Sequence, residues 1–166
     1  MIVGNGDVAS VLPERDDLLF FASGVSNSAE TRPEAFQREV DLLMERDKEA
    51  HIVYFGSLAV FYSDTPYAQH KRAMEVKVKQ EFARQTIIRI GNSTWGTNPH
   101  TFINHIRGQI ERGEEPTIWD VYRYVVDKDE FLYWIDLIPE WNCEMTIVGR
   151  RLKVAQIVAE IVAGKL

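Results

Sequence analysis

His51-Ile-Val-Tyr-Phe-Gly-Ser57, followed closely by Asp64-Thr-Pro-Tyr-Ala-Gln-His-Lys71, is the stretch that decides the fold. Its first piece reads as a buried strand. Ile52 to Phe55 are apolar without alternation, which suits a parallel strand covered on both faces. Gly56 and Ser57 then fall at its carboxyl end, the edge where open α/β sheets bind ligands. The second piece opens a helix that Ser63, Asp64 or Thr65 can cap, with Pro66 in its first turn. Tyr67 and Lys71 are then i and i+4, stacked on one face. Met74, Val78 and Phe82 continue the same stripe, so the pair belongs to the face that packs on the sheet.

Working outward, similar apolar runs occur at Met1–Val3, Leu18–Ala22, Thr86–Ile90 and Glu144–Val148. Amphipathic stretches separate them, which predicts an α/β fold. Thr31-Arg-Pro-Glu34 reads as a capping box, and Ala35, Phe36, Val40, Leu43 and Met44 follow as an apolar helical stripe. A last helix, about Lys153 to Ala163, places Val154, Ile157, Val158, Ile161 and Val162 on one side. The expectation is an abbreviated Rossmann-like parallel sheet with helices on both faces. It forms a single domain over residues 1–166 with a small C-terminal substrate region.

The composition is that of an ordinary globular chain: 45% hydrophobic and 27% charged residues over 166 positions. A formal charge of −6 argues against nucleic-acid or anionic-membrane binding, which needs a basic excess. Arg150, Arg151 and Lys153 are the one tight basic cluster and, just before a helical stretch, read as a solvated end rather than a phosphate site. Cys143 is the single cysteine, so no disulfide framework or thiolate zinc spacing exists. His51, His70, His100 and His105 have no partners at ligand spacing, so no metal site is expected. His70 reads as an exposed helical histidine, and Trp95 and Trp119 as packing residues. Asp127, Asp129 and Glu130 read as a solvated helix start. No apolar run approaches a membrane span, and no leader is visible. A soluble, cytoplasmic protein is expected.

Gly4-Asn-Gly6-Asp-Val-Ala9 follows the first apolar run and opens a short helical segment, the context of a G-x-G-x-x-G/A dinucleotide turn. Gly4 allows the tight turn, Gly6 the approach of a pyrophosphate, and Ala9 close helix packing. Asp7 brings a negative charge to that turn. The chain then runs from Gly4 to Asp17 and straight into the next strand, barely enough for a parallel crossover. Positions 22 to 29 hold no acid for a ribose. The adenosine side of such a site is therefore shortened. Tyr67 and Lys71 supply the chemistry: a phenol is a poor base at neutral pH, but a nearby ammonium and a helix N-terminus favour the phenolate. Ser57 can hold a substrate hydroxyl.

Together, Ile2-Val-Gly-Asn-Gly6, Phe21-Ala-Ser-Gly-Val-Ser-Asn-Ser28, Ile52-Val-Tyr-Phe-Gly-Ser57 and Pro66-Tyr-Ala-Gln-His-Lys71 give the chain a recognisable order. Ile88-Arg-Ile-Gly-Asn92 and Arg123-Tyr-Val-Val-Asp127 extend it. The chain resembles the NAD-dependent epimerase/dehydratase branch of the extended short-chain dehydrogenases/reductases, and most of all its small members in polysaccharide biosynthesis. The resemblance implies catalytic Ser57, Tyr67 and Lys71, with NAD or NADP as cofactor and a nucleotide sugar as substrate. It implies that Gly4, Asn5, Gly6 and Ala9 cradle the pyrophosphate, and that Ala22 and Ser23 lie beside the adenosine ribose. Lys71 would hold the nicotinamide ribose, Ile90, Gly91 and Asn92 would border nicotinamide and substrate, and Arg123 would meet the sugar diphosphate. A homodimer packed through the Tyr67 helix is likewise implied. The family's usual members are longer in the substrate half, and their serine-to-tyrosine spacing is wider. The expected function is NAD(P)-dependent epimerisation, reduction or dehydration of a nucleotide sugar. The alternative is a degenerate member that binds a nucleotide or partner protein without turnover.

Overall fold

The computed structural model describes residues 1–166. Its main sheet has five parallel strands: β1 (Ile2–Val3), β2 (Leu19–Phe21), β3 (His51–Ser57), β4 (Arg84–Ile90) and β7 (Cys143–Ile147). They lie in the order β1-β2-β3-β4-β7, with Phe20 beside Val53 and Val53 beside Thr86. A smaller sheet joins β5 (Asn92–Ser93) in parallel to β6 (Tyr122–Val126), and β6 antiparallel to β8 (Arg150–Lys153). No helix is long and apolar enough to cross a membrane.

The unbroken apolar runs divide between two cores because successive side chains point to opposite faces. Phe20, Val53, Phe55 and Ile88 face α5 (Lys128–Asp136), whose Phe131 and Ile135 are fully buried against them. Leu19, Phe21, Ile52, Tyr54 and Ile87 face the other way. There they meet Leu43 of α1 (Pro33–Met44) and Met74 and Val78 of α3 (Pro66–Glu81). The fold is thus α/β and Rossmann-like, with helices on both faces. Over the smaller sheet, Ile103 and Ile106 of α4 (Phe102–Glu111) pack with Val125 and with Ile157 of α6 (Val154–Val162).

Several local expectations change. Helix α1 begins at Pro33, so the residue before it is Arg32 and Thr31 lies outside. No side chain of a capping box serves this end; Glu30 instead accepts the Thr31 and Arg32 N–H groups, both at 3.0 Å. Met44 is exposed, and the buried centre of the α1 face is Glu39 with Leu43. Arg150, Arg151 and Lys153 lie in β8, immediately before the last helix, whose N-cap residue is Lys153. Arg150 pairs with Glu160 and Lys153 with Asp120, while the Arg151 guanidinium stacks 3.8 Å from the Tyr122 ring centroid. Residues 9–11 form only a three-residue 3-10 turn, so no helix N-terminus stands behind the glycine turn. Trp95 packs on Phe131 with ring centroids 5.0 Å apart, whereas Trp119 is exposed.

Gly4 is needed for the fold itself. Its φ is +126°, and a Cβ there would sit 2.4 Å from the Ala22 carbonyl oxygen. Gly6 differs, since a Cβ at that position meets nothing within 4 Å. Gly4→Ala is therefore expected to lose about 1–3 kcal/mol of stability, the usual cost of a disfavoured backbone. Gly6→Ala should remain near the parent. Urea unfolding checks both, and equal midpoints for the two variants would contradict the argument.

Candidate active site

The carboxyl ends of β1 to β4 open onto a cleft of about 510 Å³. Ser57 reaches it from the end of β3. Tyr67 and Lys71 reach it from the first turns of α3, whose start is fixed by Thr65, which accepts the Ala68 N–H at 3.3 Å, and by Pro66. Both inward residues are buried, Tyr67 at 7% and Lys71 at 2% exposure. Asn5, Gly6, Ala22 and Ser23 line the β1 and β2 side; Ile90, Gly91, Asn92 and Arg123 line the opposite side. Gly4 and Ala9 do not reach the cleft: Gly4 packs on the end of β2, and Ala9 is buried.

The hydrogen bonds show which groups are free. Ser57 Oγ accepts the Ala59 N–H at 3.2 Å, which leaves its own hydrogen available. The Tyr67 hydroxyl bonds to no group of the chain and is not a buried orphan, so it opens onto the cleft. Asn92 Nδ2 donates to the Tyr124 carbonyl at 2.8 Å, tying β5 to β6. The Arg123 guanidinium stacks 5.3 Å from the Phe102 ring centroid, and its buried Nε has no partner. A second lobe of about 500 Å³ adjoins the cleft. It shares Ser57, Asn92 and Arg123 with the first and adds Tyr122, Tyr124 and Arg151.

Behind the cleft lies a buried polar cluster that the sequence reading missed. Glu39 is fully buried, and its carboxylate accepts from Lys71 Nζ at 3.0 Å, the Tyr54 hydroxyl at 2.7 Å and the Val25 N–H at 2.7 Å. His70 Nε2 lies 2.9 Å from the same carboxylate, and its ring stacks on Phe36. His70 is thus a buried partner of Glu39, not an exposed helical residue. Lys71 also donates to the Tyr54 hydroxyl at 3.2 Å. Its ammonium is 5.8 Å from the Tyr67 ring centroid, so its direct phenol contact is Tyr54. Burial alone would raise the Glu39 carboxyl; the Lys71 charge, His70, the Val25 N–H and the Tyr54 hydroxyl override it and hold the group well below the carboxylate range. Burial first, then the Glu39 charge, pushes the Tyr54 phenol up, so Tyr54 stays neutral. Gly24 is needed here, because a Cβ would lie 2.6 Å from Lys71 Nζ and 2.8 Å from Glu39 Oε1.

Asp7 also lines the cleft, with its charge engaged by backbone N–H groups. Its carboxylate accepts the Thr97 N–H at 3.0 Å and the Asn98 N–H at 3.2 Å, and its carbonyl accepts Trp95 Nε1–H at 3.0 Å. A nicotinamide-bearing ligand therefore meets suitable residues on only one side. Tyr67, Ser57 and Ile90 to Asn92 fit the ring and its reacting partner. On the β1 side the open backbone of Gly6 fits a phosphate, but no helix dipole and no further strand stand behind it.

No protein-family model matches the sequence, and no curated protein sequence matches it. Solved structures do. The Bordetella bronchiseptica enzyme WbmG, in complex with NAD and UDP, matches with a TM-score of 0.62 at 14% identity, over 90% of this chain and 56% of that one. The dTDP-4-dehydrorhamnose reductase of Bacillus anthracis, in complex with NADP, gives 0.65 at 16% identity, over 89% and 62%. The dTDP-glucose 4,6-dehydratase of the same organism, in complex with NAD, gives 0.65 at 13% identity, over 90% and 58%. The chain thus spans between 56% and 62% of the length of these enzymes. What it has in common with them is the α/β fold.

Proposed function

We propose that the protein is an NAD(P)-linked oxidoreductase of the sugar-nucleotide type, an epimerase, reductase or dehydratase. The observation that carries this reading is the convergence of Ser57, Tyr67 and Lys71 on one cleft. Tyr67 offers an unpartnered hydroxyl as the acid/base, and Ser57 offers a hydrogen to the reacting oxygen of the sugar. A bound nicotinamide would supply the hydride acceptor or donor for the sugar carbon that bears this oxygen. Lys71 keeps a positive charge beside the phenol ring, fixed in place by Glu39. Arg123 and Arg151 give the second lobe two guanidinium groups for a diphosphate, with Tyr122 and Tyr124 as aromatic walls. A homodimer packed through α3 belongs to the same reading, and the exposed Val76 on that helix supplies apolar surface for it.

A second reading is binding without turnover. The Lys71 ammonium is already bonded to the Glu39 carboxylate and Tyr54, and the sheet ends at β1. One experiment separates the two. UDP- and dTDP-sugars are incubated with the protein and NAD(H) or NADP(H), and the products are resolved by chromatography. Conversion of any sugar supports the enzyme. Saturable binding of a sugar nucleotide without conversion supports the second reading, and no binding of any nucleotide removes both.

A further inference from the structure

We infer that the cleft is a mononucleotide-length site: it holds the nicotinamide, its ribose and one phosphate, and gains nothing from an adenosine half. This rests on the nicotinamide reading above and narrows it. A dinucleotide-binding sheet is built from two mononucleotide halves, and its ligand crosses the crevice where the strand order reverses. Here the order β1-β2-β3-β4-β7 never reverses, and β1 is the edge of the sheet. There is one half and no switch point. The three-residue turn at Ala9–Val11 also aligns too few peptides to present a dipole to a pyrophosphate.

Several polar groups on that side are engaged with one another. The turn after β1 and the loop after β2 flank the crevice. Asn98 spans them, its N–H bonded to Asp7 at 3.2 Å and its side-chain amide to Ser26 Oγ at 2.9 Å. Arg38 donates to the Ser23 carbonyl at 3.3 Å and to its hydroxyl at 3.1 Å. With Asp7 committed and no carboxylate among residues 22–29, the hydroxyls of an adenosine ribose find no acidic partner.

Calorimetric titration of the full chain tests this with reduced nicotinamide mononucleotide, NADH and NADPH, and with ADP-ribose as competitor. The three nicotinamide ligands are expected to bind within about threefold of one another, a difference well below 1.4 kcal/mol. ADP-ribose is expected not to displace the mononucleotide. Binding of NADH or NADPH tenfold or more tighter than the mononucleotide, or displacement by ADP-ribose, would overturn the inference while leaving the proposed function intact. Failure of all three nicotinamide ligands to bind would overturn both.

Discussion

Glu39→Ala is expected to destabilise the protein by about 3–5 kcal/mol, the cost of breaking one side of a buried ion pair. The carboxylate lies at 0% exposure, and Lys71 at 2% has no other acid to meet. Removing it leaves a buried ammonium uncompensated, a Tyr54 hydroxyl with no acceptor, and the Val25 N–H unpaired. Glu39→Gln keeps the shape and part of the hydrogen bonding but not the charge, and should fall between. The pair itself is not expected to be a net source of stability, since apolar residues of like size often do as well. Glu39→Leu combined with Lys71→Met should therefore recover much of the loss, a coupling that a double-mutant cycle in urea reads directly. A Glu39→Ala variant within about 1 kcal/mol of the parent would show that the cluster is hydrated, not dry. The pH dependence follows from the same carboxyl. Its folded pKa is depressed, so its contribution is present above the unfolded value of about 4.3 and is lost as pH falls toward the folded one. Stability should decline below about pH 5 in the parent, with a shallower decline in Glu39→Gln.

The main sheet was legible because its strands are short apolar runs bounded by turns, and parallel strands buried on both faces announce themselves that way. Helix α3 was legible from Thr65 and Pro66, and its inward face from the spacing of Tyr67, Lys71, Met74 and Val78. The short Gly4–Asp17 connection left room for no further strand–helix unit, and the sheet does end at β1. Strands β6 and β8 escaped as strands, because Tyr122-Arg-Tyr and Arg150-Arg-Leu-Lys carry the polar residues of a small, half-covered sheet. The Glu39 cluster escaped for a different reason. Glu39 occupies an apolar-face position between Phe36 and Leu43, and a single acid in such a stripe reads as a surface residue until its partner is known. The clue was on the other helix: a lysine predicted to face the sheet must find a buried acid. The same reasoning would have moved His70, its neighbour in sequence, off the surface.

The second large effect concerns Tyr67. Tyr67→Phe is expected to lower turnover by about 10²–10⁴-fold, the span usually lost with a general acid/base. Its hydroxyl has no partner in the chain, so removing it breaks no internal hydrogen bond and should leave the unfolding midpoint close to the parent. The ring stays in its small core with Ala59 and Ala68, so the cleft keeps its shape and nucleotide affinity should hold. That separation of effects makes the substitution more informative than Lys71→Met, which also strips Glu39 of its counter-charge. The decisive measurement is single-turnover conversion of whichever sugar nucleotide the parent accepts, set beside ligand affinity for both proteins. Loss of conversion with unchanged affinity places the proton transfer at Tyr67. Retained conversion moves it elsewhere, and Tyr62 is then the next candidate: it is 63% exposed and lines both lobes of the cleft. Tyr62 lies at the end of the four-residue α2 (Ala59–Tyr62), with no lysine bonded to it. Tyr62→Phe would then lower turnover in place of Tyr67→Phe in the same measurement.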